Sequence, residues 1–147
     1  MEKESKVEFD EKRIAYLQMI EGIIDRMSNK SGNIKGFAVS IVAGVTAISF
    51  KETSPYVLVL SFLTVFIFLW LDLYYLGMER KYKLLYKQVC QGKEVDFILS
   101  LDLKESEIIK AKATKYQCLT SKSIYYFYIP LLIVMIVILV FKFKGVI

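Results

Sequence analysis

Three stretches of this chain carry no charge, and they constrain the fold more than any other feature. They run from Gly36 to Phe50, from Ser54 to Leu71 and from Ser123 to Phe141. A helix rises ~1.5 Å per residue, so about twenty apolar residues cover the roughly 30 Å hydrocarbon layer of a bilayer. The second stretch continues past Asp72 to Leu76, and Val57 to Leu76 holds that single charge. The first is short, and it reaches spanning length when Ile34 and the stems of the flanking Lys35 and Lys51 are added. The third opens on Tyr125, Tyr126, Phe127 and Tyr128 and closes on Lys142 and Lys144, the aromatic and basic anchors typical of a membrane interface. The predicted fold class is an all-α membrane protein with three transmembrane helices, an N-terminal amphipathic helix and a helical cytoplasmic loop.

Orientation is read from lysine and arginine. The first 35 residues carry seven, Gly77 to Lys122 carry ten, the short connection carries Lys51, and the tail carries Lys142 and Lys144. A tight hairpin puts the first two groups on one side, a split of 17 against 3, which predicts that they face the cytoplasm. The C-terminus then lies outside. No positively charged leader precedes an early apolar core, so the first span is expected to act as an uncleaved anchor. Cys90 and Cys118 both fall on the predicted cytoplasmic side, where thiols stay reduced.

The chain divides accordingly into residues 1–33, 34–50, 54–76, 77–122, 123–141 and 142–147. In the first segment Ile14, Leu17, Ile20, Ile24 and Met27 recur at helical spacing, with Tyr16 and Ile23 beside them and charges on other faces. Ser28 to Gly32 supplies turn and cap chemistry, so this helix is expected to end there. Pro55 suits the first turn of the second span, with Thr53 or Ser54 as its cap. That span is expected to run on to about Gly92. An elbow from Lys93 to Lys104 and a helix from Glu105 to Cys118, acidic at its start and basic at its finish, complete the loop.

The residue inventory excludes much chemistry. Without histidine there is no His triad, His proton relay or His-containing zinc site, and two cysteines are too few for a four-thiolate site. Neither a phosphate-cradling glycine loop nor carboxylates clustered at metal spacing occur, so no catalytic residue, metal site or cofactor is expected and the chain reads as a non-enzyme.

Three features remain. Gly36, Ser40, Gly44 and Ala47 form a small-residue stripe on the first span, with Ala43 beside it. Such spacing lets helices approach closely in lipid, and it also leaves room for water or ions where several copies surround an axis. Both uses favour a homo-oligomer. Asp72 has three readings: a solvated interfacial carboxylate, a ring at a pore mouth, or an intramembrane salt bridge. The loop interleaves bases with tyrosines at Arg80, Lys81, Tyr82, Lys83, Tyr86 and Lys87, and again at Lys110, Lys112, Lys115, Tyr116 and Lys122. Juxtamembrane bases bind anionic lipid and enforce topology, whereas bases beside tyrosines also suit a nucleotide or a short single-stranded oligonucleotide.

Tyr16-Leu-Gln-Met-Ile20, Ile24-Asp-Arg-Met27 and Ile34-Lys-Gly-Phe-Ala-Val39, followed by a tight hairpin and a second span ending in Glu79-Arg80, resemble the small helical membrane effectors of bacterial anti-phage systems. SLATT-type effectors and the channel component of Hailong-type systems share this plan over residues 13 to 87. The third span goes beyond the two-span SLATT plan and points to the Hailong-type comparison. The resemblance implies an effector that oligomerises into a pore and is controlled by a nucleotide ligand made by a partner nucleotidyltransferase. It further implies ligand contacts among Arg26, Lys30, Lys35, Arg80, Lys81, Lys83, Tyr86, Lys87 and Lys115. The expected function is thus an oligomeric channel that depolarises the membrane; the alternative is a non-conducting scaffold that tethers a partner protein.

Overall fold

A computed structural model describes residues 2–49, 55–92, 99, 101 and 103–144. The expected connection at 51–54 with its cap, residues 93–98 of the elbow and the end of the tail lie outside the described residues. Five helices make up the remainder: α1 (Glu2–Ser49), α2 (Pro55–Cys90), α3 (Glu105–Lys110), α4 (Lys115–Leu119) and α5 (Lys122–Phe143). Three long apolar helices are each able to cross a bilayer by length and composition, the architecture of a multi-pass membrane protein. Phe37, Leu60, Phe66, Trp70, Ile133 and Phe143 all stand exposed on them, an outer surface suited to lipid.

α1 and α2 form an antiparallel pair of rods that contact each other along their lengths. Among the described residues of α1, Tyr16, Ile20, Ile23, Ser31, Ala38 and Val42 are buried. On α2, Val65, Asp72 and Glu79 recur seven residues apart, with Ser61, Leu85 and Val89 also buried. A seven-residue seam keeps one face of each helix toward its partner, as in a coiled coil. Two apolar clusters result. Val42 and Val65 meet Ile124, Tyr128 and Met135 of α5 in one, and Tyr16, Ile20, Leu85 and Val89 form the other, onto which Leu99 and Leu101 of the elbow pack.

Two boundaries differ from expectation. The turn expected at Ser28 to Gly32 is absent, because α1 continues through it as a single rod. Glycine in a helix interior costs about 1 kcal/mol relative to alanine, and packing both halves of α1 on the same partner outweighs that. The helix expected from Glu105 to Cys118 breaks instead at Lys112, whose φ of 54° is left-handed. Ala113 N–H donates to Ile108 O at 3.0 Å and Lys112 N–H to Ile109 O at 3.1 Å, the paired bonds of a Schellman cap with lysine in the place glycine usually takes. This break turns the chain so that α4 lies against α2 and leads into α5.

Ile20 has no solvent exposure. Truncating such a side chain costs about 2–5 kcal/mol, so Ile20→Ala should open the cluster far from the apolar half. Hydrogen exchange should show faster exchange across residues 13–27 and little change in residues 36–48. Uniformly faster exchange along all of α1 would contradict two separately packed clusters.

Candidate functional site

Between the two clusters the α1–α2 seam becomes polar. Asp72 is completely buried, and its Oδ2 lies 2.8 Å from Lys35 Nζ, whose side chain is itself only 17% exposed. Ser31 Oγ donates to Asp72 Oδ1, and Lys35 Nζ donates to Ser31 Oγ at 2.9 Å. Tyr128 brings a buried hydroxyl from α5 toward the same carboxylate. Helical spacing explains the set: Ser31 and Lys35 are one turn apart on α1, and Asp72 occupies a seam position of α2. Of the three readings of Asp72, the geometry is that of a salt bridge. The carboxylate is neither solvated nor turned outward from the protomer.

A ring of aromatics surrounds this level. Trp70, Tyr74, Tyr125 and Tyr126 are exposed, Lys115 Nζ sits 5.3 Å from the centre of the Trp70 ring, and Lys30 Nζ sits 5.5 Å from that of Tyr75. Amphipathic rings capped by lysines are the usual markers of a headgroup layer. Lys30, Lys35 and Lys115, three of the expected ligand contacts, thus belong to this belt or to the buried pair. Arg26 remains exposed on α1 and donates to Gly22 O at 3.3 Å.

Beyond the belt, Arg80 fastens α2 to the chain that returns toward α5. Its guanidinium donates to Lys112 O at 2.5 Å, to Gln117 O at 3.3 Å and to Ser121 Oγ at 2.8 Å. It thereby covers carbonyls that the break at Lys112 and the short helix α4 leave open. Cys118 is buried beside it, and burial pushes its thiol above the usual range although Arg80 and Lys81 act the other way. Cys90, at the end of α2, is exposed.

The same stretch of α2 forms one wall of a cavity of about 480 Å³ that α3 closes on the other side. Arg80, Lys83, Lys87 and Lys110 supply its cations, Gln88 and Gln91 its amides, and Glu107 one carboxylate. Lys83 is held by Glu79 at 2.5 Å. Arg80, Lys83 and Lys87 are therefore brought together with Lys110, one of the bases noted in the loop, and Gln88 and Gln91 join them without having been singled out in the sequence. Their signal was one-turn spacing on α2, which was legible, and the return of α3, which was not. Tyr86 is not in this groove: with Tyr82 it packs on the apolar cluster around Leu85.

Gly36, Ser40, Ala43, Gly44 and Ala47 all lie exposed on the outer side of α1, opposite its buried line. A Cβ added at Gly36 or Gly44 would meet nothing within 4 Å. Ala43 and Ala47 face an apolar groove of about 710 Å³ closed by Phe127, Pro130 and Val134 of α5. No group of three or more acidic, histidine or cysteine side chains able to hold a metal ion occurs among the described residues. In comparisons with protein families, characterised proteins and solved structures, none matches this chain.

The buried pair yields a test. Leaving one charge unpaired in an apolar interior costs about 3–5 kcal/mol, whereas replacing both partners by apolar groups of similar size is near neutral. Asp72→Leu alone should lower the melting temperature in detergent sharply, and adding Lys35→Met should restore most of the loss. Equal melting of the single variant and the unaltered chain would show that the pair does not hold the helices.

Proposed function

We propose that this chain is the subunit of an oligomeric channel in a bacterial inner membrane, with its N-terminus in the cytoplasm, gated by a cytoplasmic anionic ligand. The observation that carries this reading is the uncovered small-residue face of α1. The apolar stretches of α2 and α5 are either packed within the protomer or carry bulky exposed side chains such as Leu60, Phe66, Trp70 and Ile133, suited to lipid. Gly36, Ser40 and Gly44 do neither. Lipid gives helices no hydrophobic drive to associate, so a face that admits close backbone approach is one that another helix occupies. The Ser40 hydroxyl donates to Gly36 O at 2.9 Å, which leaves its oxygen as an acceptor for water or a cation on the same face.

Coupling between a ligand and such a pore has a physical route. α1 runs without interruption from the extramembrane cluster to the small-residue face, and the Lys35–Asp72 pair fixes it to α2 at the membrane boundary. A displacement at the extramembrane end is transmitted as rotation or tilt of a rod. Depolarisation through such a channel would arrest growth, and the setting of anti-phage defence rests on the resemblance of residues 13 to 87. Control by a nucleotide from a partner nucleotidyltransferase rests on that same resemblance.

The test uses the space around Gly44. Gly44→Leu adds bulk where the protomer has none, so helical content and melting of the protomer should persist. Its mass in detergent should fall toward the 17.0 kDa monomer, and ion flux through reconstituted liposomes should drop by about tenfold or more. An unaltered chain that is monomeric and passes no ions would overturn the channel. Recovery of a stoichiometric soluble partner from such material would favour the scaffold.

A further inference from the structure

We infer that the groove between α2 and α3 binds a soluble polyphosphate anion, recognised through its phosphates and not through a base. This deepens the ligand-gated reading above and rests on it for its regulatory meaning, although binding itself is independent of conduction. The cavity of about 480 Å³ falls in the range of small-molecule sites, roughly 300–1,000 Å³. Its cations are of two kinds. Arg80 and Lys83 are held in place, by the carbonyls at Lys112 and Gln117 and by Glu79 respectively. Lys87 and Lys110, one from each wall, are exposed and form no ion pair with a described residue. Two fixed cations beside two that form no ion pair with a described residue, with the amide of Gln91 in the lining, offer charge-assisted hydrogen bonds to several phosphate groups at once.

The described lining sets the chemical class. Among the described residues this groove has no aromatic side chain, because Tyr82 and Tyr86 turn to the apolar cluster instead. These residues offer a base no platform, whereas single-strand binding depends on such platforms. Height above the membrane excludes a lipid headgroup. Lys87 stands fifteen residues beyond Asp72 on α2, about 22 Å along the axis, while the headgroup layer adds only about 5–8 Å on each side. Even a tilt of ~40° leaves Lys87 clear of that layer.

The experiment titrates the full chain in neutral detergent with sodium tripolyphosphate, ATP and inorganic monophosphate by calorimetry, and repeats it in nanodiscs with and without anionic lipid. Tripolyphosphate and ATP should bind with affinities within about threefold of each other, and monophosphate at least tenfold more weakly, since it spans fewer of the four cations. The exposed pair Lys87→Glu and Lys110→Glu should weaken tripolyphosphate by about tenfold or more, while Lys115→Glu, in the aromatic belt, should leave it unchanged. Absence of saturable binding, indifference to the Lys87 and Lys110 changes, tenfold preference for ATP over tripolyphosphate, or competition by anionic lipid would each overturn the assignment. Tripolyphosphate that binds without altering liposome flux would keep the site and remove the gating. Flux unaffected by the Lys87 and Lys110 changes, with binding abolished, separates the two in the same way.

Discussion

The ion pair between Lys35 and Asp72 is the constraint around which the structure is organised. It joins the two long rods at one register, since a slip of one residue along either helix would leave a buried carboxylate without its cation. Ser31 adds a hydrogen bond from a neighbouring turn of α1, and α5 brings the buried Tyr128 hydroxyl toward the same place, so all three long helices converge at this point. On one side of the pair the seam is filled by Tyr16, Ile20, Leu85 and Val89, and on the other by Val42, Val65, Ile124 and Met135. Neither cluster contains a charge. The polar pair therefore specifies which residues of two otherwise greasy helices meet, a role for buried charge that apolar packing alone does not fulfil.

Much of this was legible in the sequence for simple reasons. Uncharged runs of spanning length have few alternatives to helices that cross a bilayer, and the aromatic cluster at the head of the third run falls in the first turns of α5, where Tyr125 and Tyr126 are exposed. Asp72 was recognisable as costly, but its partner was not, because Lys35 looked like one of many bases near a membrane. Local propensity misled at Ser28 to Gly32, where residues that favour turns are overruled by a partner helix that packs on both sides of them. It misled again at Lys112, since a left-handed lysine carries no glycine to announce it. The opposite fates of Lys87 and Tyr86, neighbours in sequence, come from their placement on different faces of α2: one points to the groove, the other to the core.

The division of the molecule suits a relay. Groove, buried pair and small-residue face follow one another along the same two rods, and the break of the returning chain at Lys112 is fastened by Arg80. Anion binding that draws α3 toward α2 would act on this fastened corner and, through it, on the start of α5. In the proposed oligomer, the outer face of α1 is where such a change would be felt.

Sidedness is the claim on which the relay depends, because a groove facing away from the cell interior could not sense a cytoplasmic ligand. Native Cys90 reports it directly: it is exposed, at the end of α2 and on the groove side of the buried pair, while Cys118 is shielded. A membrane-impermeant maleimide applied to intact cells should leave Cys90 unmodified and should label it readily in inside-out vesicles. Labelling of Cys90 in intact cells would place the groove outside and contradict the account.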